Sequence, residues 1–144
     1  MADTVTTTWI YPPNWDGYLP HYGGWRKVVV QLTNSSDGTG ESGVTKIDIS
    51  SLRTTNSEVP ARTVIERIVY KTKGVGVRVE WDRTSSKLIA EIPPDASDFF
   101  SWLASGGKVD PGEAGDKTGD ILFTTIGASA GDTYDITITL RLKA

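Results

Sequence analysis

Residues 134–143 read YDITITLRLK, and their period of two decides the fold class. Tyr134, Ile136, Ile138, Leu140 and Leu142 fall on one side of an extended chain, and Asp135, Thr137, Thr139, Arg141 and Lys143 on the other. Successive side chains of a strand point to opposite faces of its sheet, so this stretch describes an antiparallel strand with one buried face. Val75, Val77, Val79 and Trp81 alternate in the same way with Gly76, Arg78, Glu80 and Asp82. Further strands are expected over 4–11, 26–33, 44–50, 63–72, 87–92 and 120–126, where β-branched residues concentrate. Lys73-Gly74, lying between two such runs, suggests a tight hairpin. About eight strands with Gly-, Ser- and Asp-rich connections predict an all-β, antiparallel β-sandwich that is jelly-roll-like.

One segment resists that reading. Residues 95–104, DASDFFSWLA, follow Pro93-Pro94 and precede Gly106-Gly107. An Asp or Ser cap, apolar spacing of three to four and a closing Gly predict one short helix there. Phe99, Trp102 and Leu103 are expected to plug an open end of the sandwich. Loops are expected over 34–43, 50–62 and 105–119. No repeat or linker divides the chain, so residues 1–144 read as a single domain, with an N-terminal arm and aromatic loop at 1–25.

Composition removes whole classes of function. A chain of 144 residues can bury a core without a metal or disulfide to staple it. There is no Cys, which excludes zinc fingers, iron–sulfur sites and thiol nucleophiles, and the lone His21 excludes any centre built on two imidazoles. The net charge is −3 and no basic run occurs, so no nucleic-acid partner is expected. The longest apolar runs, such as Val28-Val29-Val30, fall far short of the roughly 20 residues that span a bilayer, and no membrane partner is expected. The first residues, MADTVT, resemble no signal peptide.

Residues 9–25, WIYPPNWDGYLPHYGGW, are the most unusual stretch. Trp9, Tyr11, Trp15, Tyr18, Tyr22 and Trp25 crowd into it, while Pro12, Pro13, Pro20, Gly17, Gly23 and Gly24 forbid long regular structure. A Pro-stiffened aromatic loop offers large contact area at low entropic cost. Three readings stay open: a subunit interface, which these six aromatics suit best; a cover folded over the chain's own core; and a platform for stacking sugars. His21 has no base–nucleophile partner in the pattern and reads as a surface or packing residue.

The remaining constellations are weak. Asp110, Glu113, Asp116 and Asp120 could wrap a hard cation, but their spacing matches no EF-hand loop and Lys117 sits among them, so a solvated acidic loop is expected and no metal site. Residues 37–42, DGTGES, lack the Lys-Ser/Thr of a phosphate loop and read as a turn. Glu66, Glu80 and Glu91 could form an acid–base pair as in glycosidases, yet any acidic all-β chain offers such pairs. No catalytic residue and no cofactor are expected, and the chain is not expected to be an enzyme.

Two blocks resemble a group of small proteins from tailed bacteriophages, especially phages of aquatic bacteria. The stretch L-T-N-x-S-D-G-T-G-E-S matches at 32–42, and G-D-T-Y-D-I-T-x-x-L-R-L-K at 131–143. The resemblance implies a virion structural protein of the capsid decoration (cement) type, which locks the head shell. It implies the major capsid protein as partner, self-association with a trimer favoured, and a place on the capsid surface after synthesis in the host cytoplasm. The chain departs from the pattern at 11–25, where the aromatic loop reads as an insertion. The alternatives are a carbohydrate-binding module using the 9–25 aromatics, and a tail or connector component with the same β fold.

Overall fold

A computed structural model describes residues 4–11, 27–48, 62–83, 86–109 and 117–143. Nine strands occupy them: β1 (Thr4–Tyr11), β2 (Lys27–Asp37), β3 (Val44–Ile47), β4 (Arg62–Lys73), β5 (Gly76–Arg83), β6 (Lys87–Ile92), β7 (Ser97–Ser101), β8 (Lys117–Ile126) and β9 (Ala130–Lys143). Four pairings nest inside one another. β2 pairs with β9, β3 with β8, β4 with β7 and β5 with β6, all antiparallel. The chain therefore runs as one long double ribbon whose tip lies between β5 and β6. Rolling that ribbon brings β4 beside β9 and β5 beside β8, which closes it into two sheets.

The sheets have the orders β1-β2-β9-β4-β7 and β3-β8-β5-β6. Strands β2 to β9 thus make a jelly roll, and β1 is added at the outer margin of the first sheet. The core is the inward-facing set that the period of two selects. Val28, Val30 and Leu32 of β2 and Ile136, Ile138 and Leu140 of β9 meet Val77, Val79 and Trp81 of β5 and Ile121 and Phe123 of β8, all fully buried. Each such side chain contributes about 1.5–3 kcal/mol on burial. Phe123 and Tyr134 tie the sheets together edge to face, with ring centroids 5.6 Å apart.

Within β4 the alternation fails for a local reason. In β4 both Ile65 and Ile68 are buried, three residues apart, because the pairing with β9 slips between Ile65 and Arg67. Glu66 occupies this β-bulge, which resets the phase of the strand.

Two expectations are corrected. Lys73-Gly74 does not close a hairpin, since β4 and β5 lie in different sheets and the pair marks the crossing between them. Gly74 turns at a φ of 79°, donates its N–H to Asp95 Oδ1 at 2.9 Å, and leaves no room for a side chain beside Asp132. The second correction concerns 95–104. Residues 97–101 form β7 along the edge of β4, and the only helical turn among the described residues is a 3-10 turn at Leu103–Ser105. The backbone groups of β4 need partners on that side, and an extended segment supplies them where a helix cannot. Phe99 in the strand and Leu103 in the turn are exposed (51% and 56%), while Phe100 packs between Tyr70 and Trp102 at 5.4 and 5.9 Å. Phe100 and Trp102 are the aromatics that close the core. β2 also extends to Asp37, through part of the expected 34–43 loop.

Candidate interaction surface

β1 is eight residues of TVTTTWIY, paired with β2 from Thr4↔Ser35 to Trp9↔Val30. A strand inside the sandwich buries alternate residues, as β2 does. β1 does not: Val5, Thr6, Thr7, Thr8 and Ile10 are all exposed. The five-stranded sheet is one strand wider than the sheet it faces, and β1 is the strand left over. Its outer side pairs with nothing among the described residues.

Trp9 and Tyr11 belong to β1, at the register positions of Val30 and Val29. Trp15, Tyr18, Tyr22 and Trp25, with His21, lie outside the described residues. Their segment, 12–26, is the connection between β1 and β2. The six aromatics expected to act together are therefore split between the outermost strand and the connection that follows it.

The outer face of the same sheet is mixed, with the exposed Val69 and Phe99 on β4 and β7 and polar side chains on β2 and β9. Gln31 donates to both carboxylate oxygens of Asp135, at 2.9 and 3.1 Å. Beside this pair is a shallow hollow of about 510 Å³ bounded by Thr6, Thr33, Ser35, Thr133, Lys71 and Lys73. A second hollow, about 420 Å³, lies against Pro93, Pro94 and Ile126.

Among the described residues the carboxylates of Glu41 and Glu66 are buried, and both are tied into the fold. Glu41 leaves the 37–42 turn, where Asp37 Oδ1 accepts from the Thr39 N–H at 3.0 Å and its hydroxyl at 2.6 Å. One oxygen of Glu41 accepts from the Tyr134 hydroxyl at 2.6 Å, and the other pairs with the ammonium of Lys46. The Glu41 and Lys46 side chains are only 6% and 4% exposed. The Glu41 backbone is held as well, its N–H donating to Thr125 Oγ1 at 2.7 Å and its carbonyl accepting the Thr125 N–H at 2.9 Å. The residues of this stretch predict a turn and no more; that its Glu41 is buried has no signal in the local sequence.

Glu66, on the β4 bulge, lies 2.9 Å from Lys27 Nζ and 3.3 Å from Arg141 Nε. Arg141 also donates to the carbonyl of Gly106, pinning the 3-10 turn to the sheet. Glu66 is thus held in the first sheet, whereas Glu80 and Glu91 stand in the second, on β5 and β6. Glu80 accepts from the Thr124 hydroxyl at 3.2 Å, and Glu91 faces Arg78 in the register. The three glutamates are not brought together.

Of the acidic loop, Asp110, Glu113 and Asp116 lie outside the described residues and Asp120 is in β8. Among the described residues, no group of three or more His, Cys, Asp or Glu is placed to hold a metal ion, and no helix is long and apolar enough to cross a membrane. Comparison with family models, curated proteins and solved structures gives no match for this chain.

Proposed function

We propose that the chain is a non-enzymatic structural protein of a tailed-phage virion, of the capsid decoration type, seated on the head shell through its aromatic connection. Trp15 and Trp25, flanked by Tyr18 and Tyr22, supply the anchors to the major capsid protein, and Trp9 and Tyr11 lead into them. Interfaces are enriched in Trp and Tyr, and a few buried aromatics dominate their energy. The observation that carries the reading is the placement of β1: the strand that leads into residues 12–26 stands at the outer margin of the five-stranded sheet, with Val5, Thr6, Thr7, Thr8 and Ile10 exposed.

The resemblance supports the phage assignment, and its two blocks are neighbours in the fold. Thr33 pairs with Asp135, Asn34 with Tyr134, and Glu41 accepts from Tyr134. Those motifs therefore build the seam of the jelly roll and leave the contact surface to the segment where this chain departs from the group. Self-association on the particle belongs to the same proposal.

The copy number of this protein relative to the major capsid protein in purified particles tests the assignment, with a fixed stoichiometric ratio expected. Replacing Trp15 with Ala tests the anchor. Lost occupancy with unchanged melting supports it; unchanged occupancy with a drop of several degrees makes the segment a cover on the chain's own core.

A further inference from the structure

The two sheets have four margins, at β1, β7, β3 and β6. Three are short and carry charge: β7 has five residues with Asp98, β3 four with Lys46, and β6 six with Lys87 and Glu91. Short length and charge are the ordinary means by which a sheet edge is kept from pairing with another chain. β1 has neither. It is eight residues long, with no charged residue and no Pro, and its described side chains are exposed on both faces.

We infer that β1 is an interface to a second copy of this chain, the two β1 strands pairing antiparallel across a two-fold axis so that two five-stranded sheets become one of ten strands. Three features favour a second copy as the occupant. An edge of free N–H and C=O groups is satisfied along its length by another strand. Self-pairing sets like against like, which an uncharged strand accepts and a charged one resists, and Thr6, Thr7 and Thr8 at its centre make favourable cross-strand Thr pairs. Finally, β1 stands one strand beyond the core, so two copies can meet there before their smaller sheets approach each other.

The register is constrained. A two-fold axis perpendicular to the sheet keeps every side chain on its own face, so the axis must pass through a residue and not between two. The regular pairing of β1 with β2 spans residues 4–9 before a bulge between Trp9 and Tyr11. The longest overlap therefore puts the axis at Thr6 or Thr7.

The chain has no Cys, so a single introduced one reports its own position. Purified Thr6→Cys, Thr7→Cys and, on the opposite margin, Ser97→Cys variants are oxidised and run on non-reducing gels. Directly opposed residues lie about 4.5–5.5 Å apart between Cα atoms, within disulfide reach, while the neighbouring position is too far. One of Thr6→Cys and Thr7→Cys, not both, should give a disulfide-linked species of twice the chain mass, several-fold above Ser97→Cys. Adding Thr8→Lys to that variant, which puts two ammonium groups on the shared edge, should lower the yield. All three sites are exposed, and matching circular dichroism confirms that the variants fold. Equal crosslinking at Thr6 and Thr7, or yields no higher than Ser97→Cys, overturns the proposal. The assay uses free protein and no particle, so it can fail while the virion reading stands, and the reverse.

Discussion

The phenol of Tyr134 donates to Glu41 Oε1 at 2.6 Å, joining residues that are 93 positions apart. Tyr134 stands in the middle of the first sheet, on β9, and Glu41 in the turn that carries the chain from β2 towards β3. With Lys46 on the other oxygen, the bond fastens that passage between sheets to the core.

Removing the phenol oxygen in Tyr134→Phe leaves one buried lone-pair site of Glu41 unmet. The expected loss of stability is about 1–3 kcal/mol. Lys46→Met removes the countercharge from a carboxylate that stays buried, and should cost more, about 3–5 kcal/mol. Glu41→Gln combined with Lys46→Met should recover part of that loss. Denaturant titration of the three variants gives the order, and a Lys46→Met protein as stable as the parent contradicts the ion pair.

Glu66 offers a contrast within one cluster. The Lys27 side chain is 48% exposed, so its pair is screened and Lys27→Ala should change stability by no more than about 1 kcal/mol. Arg141→Ala should cost more, because it strips Glu66 of its less exposed partner and frees the Gly106 carbonyl. Equal effects from the two variants argue against this division.

Phe100 and Phe99 separate strand from helix at 97–101. Phe100 packs against the core between Tyr70 and Trp102, and Phe100→Ala should lose roughly 2 kcal/mol, somewhat less than a fully buried Phe. Phe99 stands outside under the Arg67 guanidinium, 4.7 Å from its ring, and Phe99→Ala should lose less than about 1 kcal/mol. Thermal melts of both variants decide the matter; a larger loss at Phe99 restores the buried-helix arrangement.

Gly107 has a φ of 104°, and a side chain there would collide with Val64. Gly107→Ala should lower stability by at least about 1–2 kcal/mol through backbone strain alone. Gly127, also at positive φ but with open space around it, should show the strain without the collision. Comparing the two Ala variants by melting temperature isolates the contact.

Much of this fold was legible in local pattern. The period of two in 134–143 and 75–82 is a property of each strand alone, and it names the buried residues whatever the strand pairs with. β1 and β6 appear with the expected bounds, and β4, β5, β8 and β9 within a few residues of them. The strand over 97–101 was hidden because five residues with adjacent Phe side chains carry no clear period, and what makes them extended is the unpaired margin of β4, remote in sequence. The same limit applies to Lys73-Gly74, since a turn motif looks alike whether the next strand folds back or crosses to the facing sheet.

The surface divides in the same way. The aromatic richness of 9–25 and the absence of charge in 4–11 can be read from the residues. That β1 overhangs the core cannot, because it follows from five strands in one sheet facing four in the other. Nor could sequence announce that Glu41 is buried. A carboxylate at the end of a polar turn is normally solvated, and it took Lys46, Thr125 and Tyr134, gathered from three strands by the rolled ribbon, to replace water around it. Alternation is a one-dimensional signal and determines which residues face inward; counterions, edges and crossings depend on which strands become neighbours, and that was decided only when the ribbon rolled.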